Sequence, residues 1–158
     1  MKLFATKRFY YSIIVLTIVF VASYFFPALF VPVKLVFFAF LVLFFADFML
    51  LFITRGELTC DRELPERFSN GDDNAVVLKI NNSYSFDLQV TALDELPTQF
   101  QIRDLTIRLT ASKGGSRMAS YSVRPTERGE YDFGNTNLLA ATKISLINRR
   151  FMVKHDQT

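Results

Sequence analysis

Two long apolar runs near the N-terminus constrain this chain more than any other feature. Residues 9–26 read FYYSIIVLTIVFVASYFF with no charge, and residues 35–53 read LVFFAFLVLFFADFMLLFI with one, Asp47. At about 1.5 Å per residue each run can cross a hydrocarbon core of about 30 Å as a helix. Pro27 and Pro32 interrupt the helical pattern between them and Lys34 adds a polar stop. The runs therefore predict a transmembrane helical hairpin over 9–53. Tyr24, Phe25 and Phe26 close the first run. They are too bulky for a signal-peptidase site, and a second span follows at once, which argues against a cleaved leader.

The flanking charges give an orientation. Lys2, Lys7 and Arg8 precede the first run, Lys34 alone lies in the turn, and Arg55, Arg62 and Arg67 follow the second. Lys and Arg are retained on the cytoplasmic side, so a basic N-terminus (1–8) and everything after residue 53 are expected there. This is the arrangement expected of a multi-pass membrane protein with both termini in the cytoplasm.

Asp47 is the one carboxylate inside a span, at a depth where insertion costs about 2.5–3.5 kcal/mol. On an ideal hairpin it lies level with Leu16 and Thr17, so a hydrogen bond to Thr17, or protonation, is the simplest compensation. A contact with a helix of a second copy is the alternative, and would make the chain a homo-oligomer through its transmembrane helices. A proton path would need further ionisable groups in the spans.

From residue 57 the pattern changes to short period-two stretches broken by turn residues. Strands are expected over 58–64, 75–80, 86–93, 105–109, around Tyr121 and Val123, over 131–139, and over 149–154. Ser69-Asn70-Gly71-Asp72, Asn81-Asn82-Ser83 and Lys113-Gly114-Gly115-Ser116 supply turns. About seven strands in residues 54–158 predict an antiparallel, immunoglobulin-like β-sandwich. One Cys and no Trp rule out the Cys…Trp…Cys core of a true immunoglobulin domain.

Composition narrows the function. The excess of 18 Lys and Arg over 15 Asp and Glu resides wholly in residues 1–53, which hold four cations against Asp47. The remainder is neutral, and without a basic cluster it offers no surface for nucleic acid. Cys60 and His155 are each the single residue of their type. They cannot fill a tetrahedral zinc site, and neither has a sequence-evident partner for nucleophilic catalysis. Asn70-Gly71-Asp72-Asp73-Asn74 lacks the spacing and terminal Glu of a calcium loop, and Gly114-Gly115 lacks the Lys-Ser/Thr of a phosphate loop. No cofactor and no enzymatic activity are expected.

The most specific stretch runs over 128–134, where Arg128, Gly129, Tyr131, Phe133 and Gly134 form an Arg-Gly-x-Tyr-x-Phe-Gly pattern. Pro125 ends one strand before it, Tyr131 and Phe133 point to one face, and Gly134 can bend the chain. Together with the two N-terminal runs, Asn81-Asn82-Ser83, and Asp94-Glu95-Leu96-Pro97 with Phe100 beyond, it resembles the start of the bacterial membrane proteins known as domain-of-unknown-function family fifty-eight.

That resemblance implies a sandwich followed by a larger domain similar to von Willebrand factor type A, and association with AAA+ ATPases of the MoxR type. Two departures stand out. Thr142-Lys143-Ile144-Ser145-Leu146 replaces an Asp-Pro-Phe-Gly-Leu type stretch, and the chain stops at Thr158, about where the larger domain would begin. The resemblance thus implies a fragment, a truncated gene product or a short paralogue, with no metal site to carry over. The expected function is a membrane-anchored, non-enzymatic interaction module with a MoxR-type ATPase or von Willebrand A-like protein as partner. The alternatives are an envelope structural or adhesion-like protein with an external β-domain, and an enzyme subunit whose active site lies beyond these residues.

Overall fold

The computed structural model describes residues 2–65, 67–100, 102, 105–126 and 129–155. Strand β1 (Lys2–Ala5) leads into helix α1 (Lys7–Phe25), a 3-10 turn (Pro27–Leu29), helix α2 (Phe30–Phe48) and a π-helical turn (Met49–Ile53). Seven strands follow: β2 (Leu58–Glu63), β3 (Asn74–Asn82), β4 (Leu88–Asp94), β5 (Leu105–Ala111), β6 (Ser116–Val123), β7 (Thr136–Ala141) and β8 (Ile147–Val153).

Thr6 caps α1 by accepting the Phe9 N–H at 3.4 Å. The second helix begins at Phe30, earlier than the charge pattern predicts, because Pro32 falls in its first turn, where a missing N–H costs nothing. Lys34 is accordingly inside α2, with its ammonium 4.8 Å from the Phe30 ring centre, and is not a stop between helices. Phe9 packs on Phe40 and Phe44, and Phe20 on Phe37, to pair the helices.

Along both helices and the π turn only Ser23, Val33, Asp47 and Leu51 are buried. Tyr24 is 84% exposed, Phe25 71% and Val42 67%. An apolar surface this extensive needs a cover or an apolar solvent. Both helices are long and apolar enough to cross a membrane.

The strands form two antiparallel sheets, ordered β1-β8-β7-β4-β5 and β2-β3-β6. Alternation places Leu58 and Cys60 of β2, Leu78 and Ile80 of β3, Leu88, Val90 and Ala92 of β4, Leu138 and Ala140 of β7 and Ile147 of β8 in one core between them. The β-sandwich expectation is met at this level. Leu51, from the end of the helical hairpin, is fully buried in the same core.

Two segments differ from expectation. Lys2–Ala5 is not a free basic tail but an edge strand, with Lys2 opposite Arg150 and Ala5 opposite Ile147. Four residues show too little alternation to be read as a strand without their partner. The strand expected over 131–139 begins only at Thr136, because Tyr131 and Phe133 leave the sheet for a second aromatic cluster with Phe100 and Val76.

Register gives the sandwich two ends. In the larger sheet Gln89 pairs with Ala141 near the helices and Asp94 with Thr136 at the far end. At about 3.4 Å per residue these ends lie about 17 Å apart.

Candidate functional site

The joint between the helical hairpin and the sandwich is built around Asp47. Its carboxylate, fully buried, accepts the Thr142 hydroxyl, the Leu146 N–H at 2.8 Å and the Ile147 N–H at 3.1 Å. Thr142 in turn accepts the N–H groups of Ile144 (3.1 Å) and Ser145 (3.4 Å), a side-chain-closed turn between β7 and β8. Ser145 takes a left-handed conformation there, φ 57°. From the first helix, Thr6 donates to the carbonyls of Ser145 (2.7 Å) and Leu146 (2.9 Å). Both helices therefore grip one turn of the sandwich.

This corrects the expected Asp47–Thr17 bond. Thr17 instead donates to the Ile13 carbonyl one turn back, at 2.9 Å, and needs no partner across the hairpin. The signal for Thr142 was its ability to close a short turn, but nothing local in the sequence connects it with a residue 95 positions earlier.

A second grip forms at the π-helical turn. The Thr54 N–H reaches back five residues to the Met49 carbonyl at 3.2 Å, and helix ends leave carbonyls without intrahelical donors. The Leu51 carbonyl accepts the Tyr84 hydroxyl at 3.1 Å and the Arg149 guanidinium at 2.7 Å. Arg149 also donates to the Tyr84 oxygen at 2.7 Å and faces the rings of Phe52 and Phe151 at 5.5 and 4.7 Å. Burial raises the Tyr84 pKa, so the hydroxyl stays a neutral donor. Gly56 makes room, since a Cβ there would overlap the Tyr84 ring.

The far end holds a buried ion pair. Arg62 pairs with Asp94, their side chains 0% and 1% exposed, and donates to the Gly134 carbonyl at 2.9 Å and Thr136 Oγ1 at 3.0 Å. Asp94 further accepts Thr136 (2.7 Å) and the Tyr121 hydroxyl (2.5 Å). Burial, then the bond to Asp94, pushes the Tyr121 pKa upward. The Phe133 ring lies 5.2 Å from the Arg62 guanidinium carbon.

The motif residues gather at this end. Tyr131 stacks on Phe100 with ring centres 4.8 Å apart, and Phe133 stacks on Phe68 at 5.9 Å. Gly134 donates to the Glu95 carbonyl at 2.9 Å, and a Cβ there would lie 2.7 Å from that of Glu95. Leu96 packs on the aromatic cluster, and buried Pro97 accepts the Phe100 N–H at 3.1 Å. Gly129 has open space around it. Arg128 lies outside the described residues.

His155 touches Thr136 at 3.0 Å, and Thr136 touches Asp94, but the order does not suit catalysis. The carboxylate accepts from the threonine rather than from the histidine, and Thr136 is fully buried, out of reach of a substrate. Burial, with Arg62 adding, lowers the His155 pKa. The Cys60 thiol is pushed up to about 12 by burial, and by Asp94 next, so it stays protonated at neutral pH.

No protein-family model matches the chain, and no curated protein matches it. Among solved structures, the CARDB domain of a Pyrococcus furiosus protein aligns at 12% identity and TM-score 0.40, over 63% of this chain and 94% of that one. The ApaA protein of Bordetella pertussis aligns at 13% identity and TM-score 0.35, over 66% and 97%. A β-glucosidase of Listeria innocua aligns at 14% identity and TM-score 0.27, over 64% of this chain and 16% of the enzyme. Likenesses at these scores carry nothing about activity, and the joint and the buried pair stand on their own geometry.

Proposed function

We propose that the chain is a membrane-anchored, non-enzymatic interaction module whose two spanning helices hold a β-sandwich on the cytoplasmic face of a bacterial inner membrane. The observation that carries this is the joint: Asp47 and the Leu51 carbonyl tie the end of α2 into the sandwich core. A mere tether would need no such bonds, whereas a platform presented at fixed height and angle does.

The pairing of β1 with β8 supports the topology. Residues before α1 and after α2 share one sheet, so both ends of the hairpin lie on one side. Lys2, Lys7, Arg8 and Arg55 share that side and Lys34 belongs to the helix nearer the turn, the distribution expected for a cytoplasmic sandwich. Lettering β2 to β8 as A to G gives sheets A-B-E and G-F-C-D, which favours an immunoglobulin-like reading with the fourth strand moved to the larger sheet.

The partner follows from the sequence resemblance: a MoxR-type AAA+ ATPase or a von Willebrand A-like protein. It would meet the far end, where Leu96, Pro97, Tyr131, Phe133 and Gly134 lie. The test pairs reporters fused after Thr158, one active only in the cytoplasm and one only outside, with alkaline extraction of membranes. Extraction-resistant protein with the cytoplasmic reporter active is expected. External activity would overturn the orientation and favour the envelope reading. Co-purification from detergent-solubilised membranes tests the partner, and recovery of neither protein would remove that half.

A further inference from the structure

We propose that the helix-facing end of the sandwich carries a binding surface for anionic phospholipid headgroups, an inference that rests on the membrane-spanning reading above. Where the apolar helices end, five cations are exposed: Lys7 and Arg8 at the start of α1, Arg55 just past the π turn, Lys113 in the β5–β6 turn and Lys143 in the turn held by Asp47. Their positions are tied to that level by contacts. Thr6, beside Lys7, bonds the carbonyls of Ser145 and Leu146, two and three residues after Lys143. Gly114, beside Lys113, donates to the Tyr84 carbonyl at 3.1 Å, and Tyr84 bonds Leu51 of the π turn.

Apart from Asp47, which is buried in the joint, only Glu57 and Asp87 oppose these charges among the described residues at this end. Asp87 accepts the Lys113 N–H at 3.1 Å and lies 3.5 Å from the Lys143 ammonium. The Lys143 side chain is 79% exposed, so that ion pair is weak and its charge is largely uncommitted.

The opposite end has the reverse sign. Glu63, Asp72, Asp73, Glu95, Glu130 and Asp132 are exposed there against Arg67, Arg124 and Lys154 among the described residues. Charge in the sandwich is sorted along the axis that leads away from the helices. A neutral domain with cations at headgroup height and carboxylates away from it matches a negatively charged leaflet, which attracts juxtamembrane Lys and Arg within a Debye length.

The chain has no tryptophan, so a single introduced one is an unambiguous lipid probe. Tyr11→Trp places it on an exposed face next to Lys7 and Arg8, and Tyr24→Trp places a control at the other end of α1, at positions 66% and 84% exposed. The full chain is reconstituted in phosphatidylcholine vesicles with brominated phosphatidylglycerol or brominated phosphatidylcholine as quencher. At Tyr11→Trp, phosphatidylglycerol should be preferred roughly five-fold. That preference should fall with salt, vanish when Lys7, Arg8, Lys113 and Lys143 are changed to Gln, and be absent at Tyr24→Trp. Equal quenching by both lipids at both positions would overturn the lipid surface while leaving the spanning helices intact. No quenching by either would overturn the membrane reading and this surface with it.

Discussion

The Asp47 carboxylate accepts the Leu146 N–H at 2.8 Å, joining a helix to the turn before β8, 99 residues later in the chain. Thr142 and Ile147 share the same carboxylate, so Asp47→Ala leaves three buried donors without an acceptor. Each unmatched donor costs about 1–3 kcal/mol, partly offset by no longer burying the carboxyl group, for a net loss of about 3 kcal/mol. Thermal unfolding of the full chain in detergent should show the lower midpoint, and Asp47→Asn, which keeps one acceptor oxygen, should lie between. An unchanged midpoint in the Ala variant would mean that the joint contributes nothing to stability.

Gly56 lies between the hairpin and β2 and faces the Tyr84 ring, which is held by Leu51 and Arg149 and cannot retreat. Gly56→Ala should displace the ring and cost about 1–3 kcal/mol, the range for overpacking a closed site. Tyr84→Phe keeps the ring and loses only the hydroxyl bonds, at about 1 kcal/mol. If the Ala variant is no less stable than the Phe variant, the close approach is not confining the ring.

The hairpin and the alternating strands were legible because hydropathy and period are local properties. Val76, Leu78 and Ile80 on one face of β3 needed only their own stretch of sequence. What was not legible depends on partners distant in the chain. Lys2–Ala5 becomes a strand only because β8 offers an edge, and Asp47 finds Thr142 and not the nearer Thr17 because the sandwich seats directly on α2. Tyr131 and Phe133 of the 128–134 pattern lie in an aromatic cluster, yet the ion pair beside them, Arg62 with Asp94, joins a residue read as an orientation charge to one read only as part of the Asp94-Glu95-Leu96-Pro97 stretch.

Removing one member of that buried pair should be costly. Arg62→Met leaves the buried Asp94 carboxylate with Thr136 and Tyr121 as its donors among the described residues, and such losses run to about 3–5 kcal/mol. Arg62→Met combined with Asp94→Leu removes both charges and should recover much of the loss. Chemical denaturation of the single and double variants gives the coupling. Additive losses would mean that the two residues act independently.

Cys60 reports on the same region, being 3% exposed with a thiol pushed up to about 12 by burial. At pH 8 a thiol-specific reagent should modify the unfolded chain and leave the folded one untouched. Rapid labelling under native conditions would show that β2 opens, and the Arg62→Met variant should label faster than the wild type if the buried pair holds that strand down.

His155 makes stability at the far end pH-dependent, and the sign follows from the direction of its shift. Burial, with Arg62 adding, lowers its pKa below the ordinary 6.5, so the unfolded chain binds a proton first as pH falls. Stability from the neutral ring is present in full above that value. It is lost as pH drops from there toward the folded pKa, where a protonated, partly buried ring would face the Arg62 charge. Asp94 and Asp61 oppose the shift without reversing it. Comparing wild type with His155→Gln in unfolding experiments between pH 5 and 8 isolates the effect. The wild type should lose more stability on acidification through that window, and identical slopes for the two proteins would place the histidine outside the folded unit.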